Sequence, residues 1–265
     1  MQDYWHKQTD DEPLYPDLLW SRPENRQQAG KLLIVGGNAF GFAAAGEAYT
    51  EATKAGIGTT RVVLPDSLQK TVGRVFEAGE YAPSTKSGSF GKRALAELLA
   101  MSYWADATLL AGDFGRNSET AILLEDFILK YSGQLAITQD AADYFIKTPR
   151  AVLARPDTLL VISFAQLQKI ASSARFTKAF TFNMDLVRLV EALHDFTLLY
   201  QTAIIVKHLD IILCAVAGEV TTTKLATERE IWRVAAAAHA IVWWLQNPSK
   251  SFAALTASVI TPDKS

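Results

Sequence analysis

"KLLIVGGNAFGFAAAGEAYTEATKAGIGTTRVVLP", residues 31–65, decides the fold. It opens on the apolar run "LLIV", which shows no apolar–polar alternation and so reads as a strand buried on both faces. Gly36 and Gly37 close that run. "FAAAGEAYTEATKAG" then reads as a helix with a small-residue face suited to close packing on a sheet, and "TTRVVLP" as a second strand. A strand, a helix and a strand of these lengths form a crossover unit, which pairs its strands in parallel.

The same alternation runs on. "GKRALAELLAMSYW" reads as an amphipathic helix, "ATLLAG" as a strand, "SETAILLEDFILKY" as a helix, and "QLAIT" and "TLLVIS" as strands. The helix "MDLVRLVEALHDF" and the strand "TAIIVK" follow. Next comes a hairpin-like pair, "DIILCAV" and "EVTTT", turning at Ala217-Gly218, and two helices close the chain at roughly 228–246 and 249–260. Strands interleaved with helices in this way predict an α/β protein with a mostly parallel sheet covered on both faces. Residues 1–30, rich in Pro, Asp and Gln, read as an irregular arm. Its Trp5, Tyr15, Leu18, Leu19 and Trp20 are expected on the body of the protein or on a neighbouring subunit. Residues 31–265 read as a single domain.

Bulk properties narrow the function. The 265 residues are 49% hydrophobic and 20% charged, which suits a folded chain with a sizeable core. A formal net charge of −2, with Lys and Arg scattered, gives no basis for capture of nucleic acid or an acidic membrane. No secretory signal or membrane span is visible in the sequence, so a soluble, cytoplasmic protein is expected. The single cysteine, Cys214, lies in an apolar run and reads as a buried structural thiol. The four histidines are spread too widely for a metal site.

In doubly wound sheets, ligands sit beyond the carboxyl ends of the strands. The loop "VGGNAFGFAAAG" has Gly36, Gly37 and Gly41, a spacing that differs from Gly-x-Gly-x-x-Gly, and no acidic residue ends the next strand. Its glycines either form a tight turn or approach a ligand. In "LLAGDFGRNSET", Gly112 and Gly115 let backbone N–H groups converge into an anion-holding nest ahead of a helix that Asn117 or Ser118 could cap. Asp140 and Asp143 stand beside a strand end, where Asp140 either caps the next helix or faces the ligand. Lys207 and His208 stand at another strand end, either as a phosphate-facing cation and its neighbour or as a polar turn.

Taken in order, these pieces resemble the ADP/ATP-dependent NAD(P)H-hydrate dehydratases, a branch of the ribokinase-like superfamily. Arg22-Pro23, Gly36-Gly37-Asn38, Ala43-Ala44 and Ala55-Gly56-Ile57-Gly58 occupy the places of that family's Arg-Pro, Gly-Gly-Ser, Gly-Ala-Ala and Ala-Gly-x-Gly segments. "AGDFGRNSET" resembles its Gly-Pro-Gly-Leu-Gly-Arg loop, keeping Gly112, Gly115 and Arg116. "LAITQDAADYF" is similar to its strand followed by Asp-Ala-Asp-Ala-Leu, and Lys207 matches the lysine of its Leu-Lys-Gly-Ala hairpin. The likeness covers roughly residues 18–262. It implies a ribokinase-like three-layer α/β/α sandwich, ATP or ADP with Mg2+, NAD(P)H hydrate as substrate, and a homo-oligomer. The residues it assigns to the cofactor are Gly36, Gly37, Asn38, Gly112, Asp113, Gly115, Arg116, Asp140 and Lys207.

The departures fall where the chemistry belongs. Ser163-Phe164-Ala165-Gln166 and a shortened loop stand where the family has Thr-Pro-His-Pro-Gly-Glu. In "TKLATEREIWRVAAAAHAIVWWLQ", residues 223–246, either Arg229-Glu230-Ile231-Trp232 or, one residue earlier, Glu228–Ile231 stands where the family has Gly-Thr-Gly-Asp, whose amides hold an anion and whose aspartate moves the proton. Side chains with a Cβ crowd a phosphate's approach to backbone N–H groups. One like-charge contact between a glutamate and a phosphate at ~4 Å costs about 4 kcal/mol at an effective dielectric near 20. The helix dipole returns only ~0.3–1 kcal/mol. The expectation is therefore a divergent family member with a degraded catalytic motif that keeps a nucleotide or NAD(P)-type ligand. The alternatives are an active lyase using Glu228 or Glu230 in place of the aspartate, and a kinase of a small hydroxylated molecule.

Overall fold

The computed structural model describes residues 3–260 except 21, 24, 74, 75, 77 and 225–231. Its strands are β1 (Trp5–Thr9), β2 (Lys31–Gly36), β3 (Thr59–Pro65), β4 (Gly79–Ala82) and β5 (Ala107–Gly112). They continue as β6 (Gln134–Thr138), β7 (Thr158–Ser163), β8 (Ala203–His208), β9 (Ile211–Val216) and β10 (Glu219–Lys224). The helices are α1 (Pro16–Trp20), α2 (Ala43–Lys54), α3 (Gln69–Val72), α4 (Leu95–Trp104) and α5 (Ser118–Lys130). The remainder are α6 (Pro149–Leu153), α7 (Phe164–Ser173), α8 (Leu186–Leu199), α9 (Trp232–Gln246) and α10 (Ser251–Ser258).

All the strands join one sheet in the order β1-β10-β9-β8-β7-β6-β5-β2-β3-β4. Pairing is parallel except where β9 runs against β8 and β10. Successive side chains point to opposite faces of a strand, so each central strand feeds two cores. Leu33 and Val35 of β2 join Leu110, Ile137 and Ile162 beneath α4, α5 and α8, with Phe127 and Phe196. Leu32 and Ile34 face the other way, with Leu109, Val161 and Ile205, beneath α2 and α9. There Ala45, Ala48, Ala52, Ala237, Ala238 and Ile241 bring helix backbones close to the sheet. Cys214 is buried in this second core, and burial pushes its thiol up to about 12. No described helix is long and apolar enough to cross a membrane.

The β9–β10 hairpin turns at Ala217 and Gly218, with φ of 49° and 88°, as the sequence predicts. The irregular reading of residues 1–30 is corrected: β1 adds a strand to the sheet edge, parallel to β10. Its hold is polar. Trp5 Nε1 donates to Thr222 Oγ1 at 3.0 Å, and Gln8 Nε2 donates to Thr223 Oγ1 and to the Thr256 carbonyl, both at 2.9 Å. An edge strand fixed by hydrogen bonds leaves no apolar period to read. Leu18 is buried and Tyr15 packs beside it, whereas Trp20 is 88% exposed and so does not lie on the body of this chain. The side chain of Leu19 lies outside the described set.

Candidate functional site

The carboxyl ends of β2, β5, β6, β7 and β8 lie along one edge of the sheet. β2 and β5 meet there so closely that a Cβ on Gly36 would sit 2.6 Å from the Gly112 carbonyl oxygen. Gly37 N donates to that same oxygen at 3.0 Å. Only glycine allows this approach, so Gly36 and Gly37 serve the strand junction. Asn38 tightens it: Nδ2 donates to the Asp113 carbonyl at 2.6 Å while Oδ1 accepts from Phe40 N at 2.8 Å.

Asp113 follows β5 with φ at 59°, a left-handed conformation that Asp and Asn tolerate better than most residues. The turn carries its carboxylate to the start of α2, where Oδ2 accepts from Ala44 N at 2.7 Å. A helix N-terminus offers free N–H groups and a positive dipole end to an anion. On α2 that place is filled from within the protein.

The nest after β5 is filled in the same way. Gly112, Asp113 and Gly115 all have positive φ, at 125°, 59° and 75°, and Asp140 puts its carboxylate in the hollow. Asp140 Oδ2 accepts from Gly115 N at 3.0 Å, and Oδ1 is buried without a hydrogen-bond partner among the described residues. Burial pushes this carboxyl above the ordinary carboxylate range, against the lowering effect of the Gly115, Phe114 and Asp113 amides, and the Asp113 charge adds to the rise. Asp140 caps no helix, because the chain after β6 forms a 3-10 turn over Gln139–Phe145 with no side-chain cap. Asn117 caps α5 through its Oδ1 to Glu119 N at 2.8 Å, and Tyr144 donates to the Gly115 carbonyl at 2.7 Å.

Beyond β7 the expected shortening is complete, since no loop residue separates the strand from a helix. α7 starts at once, held by a capping box in which Ser163 Oγ accepts from Gln166 N and Gln166 Oε1 accepts from Ser163 N. Gln166 is also a hub, its Nε2 donating to the Gln139 carbonyl at 2.8 Å and to Asp143 Oδ1 at 2.9 Å. Arg233, in the first turn of α9, donates from Nη1 to Gln166 Oε1 at 3.3 Å. Burial lowers the Arg233 pKa, while the Asp143 and Asp140 charges favour its cation.

Lys207 and His208 end β8, directly before the turn to β9. His208 sits against Phe164 and Phe182, ring centroids 4.6 and 5.3 Å away, and burial lowers its pKa. Strand alternation puts Lys207 with Ile205 on the α9 face, and the backbone register places it opposite Ser163.

The open volume in this region is a cleft of about 540 Å3 lined by Gly115, Arg116, Asn117, Asp140, Asp143, Tyr144 and Lys147. Two cations and two carboxylates face it, so it suits a ligand carrying both anionic and hydrogen-bonding groups. Among the described residues, no cluster of three or more His, Cys, Asp or Glu side chains is placed to hold a metal ion. Mg2+ would need most of its ligands from water and a bound phosphate.

The cofactor residues expected from the sequence thus divide. Gly36, Gly37, Asn38, Gly112 and Asp113 build the β2–β5 junction and the α2 cap. Gly115, Arg116 and Asp140 reach the cleft, and Lys207 stands apart at the end of β8. Glu228 and Glu230 lie outside the described residues. Sequence reasoning passed over Gln166 and Arg233. The Ser-x-x-Gln spacing of 163–166 signals a capping box, but nothing local marks Arg233 as a partner of Gln166.

A sheet of this order, with helices on both faces and polar loops at the carboxyl edge, makes a three-layer α/β/α sandwich, the fold of the ribokinase-like structures it matches. No family profile and no curated protein sequence matches the chain. Solved structures do. A ribokinase-like superfamily protein from Enterococcus faecalis V583 superposes with a TM-score of 0.70 at 14% identity, covering 98% of this chain and 87% of that one. The ADP/ATP-dependent NAD(P)H-hydrate dehydratase from Bacillus subtilis, co-crystallised with ATP/Mg2+, gives 0.59 at 12% identity, covering 94% and 86%. Phosphomethylpyrimidine kinase from Clostridium difficile 630 gives 0.55 at 10% identity, covering 87% and 97%.

Proposed function

We propose that this chain is a divergent, NAD(P)H-hydrate dehydratase-like protein that binds a nucleotide or NAD(P)-type ligand at its strand-end cleft without carrying out nucleotide-driven dehydration. One observation carries the reading: two backbone cradles among the described residues that could grip a phosphate are occupied by the protein's own carboxylates, Asp113 on the α2 N-terminus and Asp140 in the 112–115 nest. A phosphate entering either place would displace a bound carboxylate and meet its charge. The residues that fit an anion are instead side-chain cations, Arg116 and Lys147 at the cleft. In this reading the ligand's anionic part meets those cations, and its hydroxyl or amide groups meet Asp143. Thermal melts with millimolar ADP, ATP and NAD+ test it. Stabilisation by at least one of them is expected, and a melting temperature indifferent to all three would refute ligand binding.

A second reading, an active ATP- or ADP-dependent dehydratase, has one observation in its favour. Asp140 is a carboxyl raised by burial and lining the cleft, and a carboxyl so raised holds its proton more readily than an exposed one, as a general acid must. The small-molecule kinase has no comparable support among these residues.

A further inference from the structure

We infer that a second cleft, at the opposite edge of the sheet from the first, binds a small organic cation, an ammonium with an apolar body and a hydrogen-bonding oxygen. The inference stands apart from the nucleotide reading. This cleft, of about 530 Å3, lies where β7 and β8 begin, at Thr158 and Ala203, and where β9 ends, at Val216. It is therefore at the amino edge of the parallel strands, and its size suits a small molecule. The last turn of α8 contributes Thr197 and Leu198, and α9 contributes Trp244. Phe196 of α8 belongs to the first core and Trp244 to the second, so the cleft bridges the two faces of the sheet.

The lining selects the ligand. Among the described residues no Lys, Arg or His faces this cleft, and its one carboxylate is Asp157, whose side chain makes no hydrogen bond or ion pair. The Arg155 guanidinium feels the Asp157 charge, but it is bonded to the Tyr131 and Gly133 carbonyls and does not line the cleft. α8 ends here, bringing the negative end of its dipole, and its last turn holds no basic residue to offset it. Tyr200 and Trp244 add aromatic rings, which attract cations. The Tyr200 hydroxyl is already engaged, donating to the Ala174 carbonyl at 3.4 Å. Trp244 is 4% exposed, and its Nε1 is buried without a hydrogen-bond partner among the described residues. An indole N–H only donates, and a buried donor left unpaired is costly, so an oxygen of the ligand at this wall would relieve it. Leu198, 61% exposed, stands with Pro156 and Val216 as apolar lining for the ligand's carbon skeleton.

Calorimetric titration of the whole protein with tetramethylammonium, choline and dimethylbutanol, the neutral carbon isostere of choline, tests the assignment. The first probe carries the cation, the last the oxygen, and choline both, so wild type should bind choline most tightly. Asp157→Asn, a residue that tolerates the positive φ of 49° at this position, should bind both cations ~2–5-fold more weakly and the neutral alcohol unchanged. Trp244→Phe keeps an aromatic ring and removes the donor, so choline's margin over tetramethylammonium should shrink ~2–10-fold. If Trp244→Phe does not fold, the Asp157→Asn comparison decides. Equal wild-type affinity for choline and dimethylbutanol overturns the inference, and so does cation binding untouched by Asp157→Asn. Absence of binding by all three probes overturns it as well. Saturating ADP should leave choline affinity unchanged, and competition between the two would overturn the placement at this edge. A protein that binds choline and no nucleotide would refute the nucleotide reading alone.

Discussion

Replacing Asp113 tests whether α2 is capped from across the sheet. In Asp113→Ala the 2.7 Å bond to Ala44 N is lost, and such caps contribute ~0.5–2 kcal/mol. The negative charge at the dipole's positive end adds ~0.3–1 kcal/mol. Asp113 also has φ at 59°, where alanine lacks the local side-chain hydrogen bonding that lets Asp and Asn visit this region. The alanine variant should therefore lose about 1–3 kcal/mol in urea unfolding. Asp113→Asn keeps the acceptor and the tolerance for positive φ and gives up only the charge, so its loss should stay within ~0.3–1 kcal/mol. The order wild type, Asn, Ala is as informative as the sizes. An alanine variant within ~0.5 kcal/mol of wild type, the range of ordinary surface changes, would refute the cap. An asparagine variant as damaged as alanine would place the effect in the charge alone.

Asp140→Asn tests the occupied nest through pH. The native carboxyl lies above its unfolded value, raised first by burial, so the fold binds this proton more tightly than the unfolded chain. Its stabilising contribution is fully present below the ordinary value of ~3.9 and is lost as pH rises through the native value. The variant should therefore gain on wild type between pH 4 and pH 8 in chemical denaturation; a relative loss over that range contradicts the assignment. His208 runs the opposite way. Burial lowers its pKa, so wild type should lose stability as pH falls through ~6.5 while the unfolded chain takes up the proton. His208→Phe, set among Phe164 and Phe182, should flatten that acid limb between pH 7.5 and pH 5, and an unchanged slope would move the effect elsewhere.

Much of the architecture was legible because central strands buried on both faces leave continuous apolar runs, as in "LLIV" and "TLLVIS", and alanine-lined helices sit between them. What escaped reading was held by polar contacts. β1 depends on Trp5 and Gln8 bonding to threonines more than two hundred residues away, and α7 hid because the comparison suggested a loop there. At the site, the glycine spacing located the strand-end loops, and the nest geometry is real. Its occupant was not legible, since Asp113 and Asp140 each act on a loop from another strand. Arg233 has meaning only through Gln166 and Asp143, which fold brings together from separate segments.

The central claim is that the chain keeps a nucleotide-type cleft and has lost nucleotide-driven dehydration. Its most direct test is the rate at which hydrated NADH returns to NADH with purified protein, Mg2+ and either ATP or ADP, against the same mixture without nucleotide. The account predicts equal rates at any protein concentration. An acceleration that requires ATP or ADP and rises in proportion to the protein would contradict it.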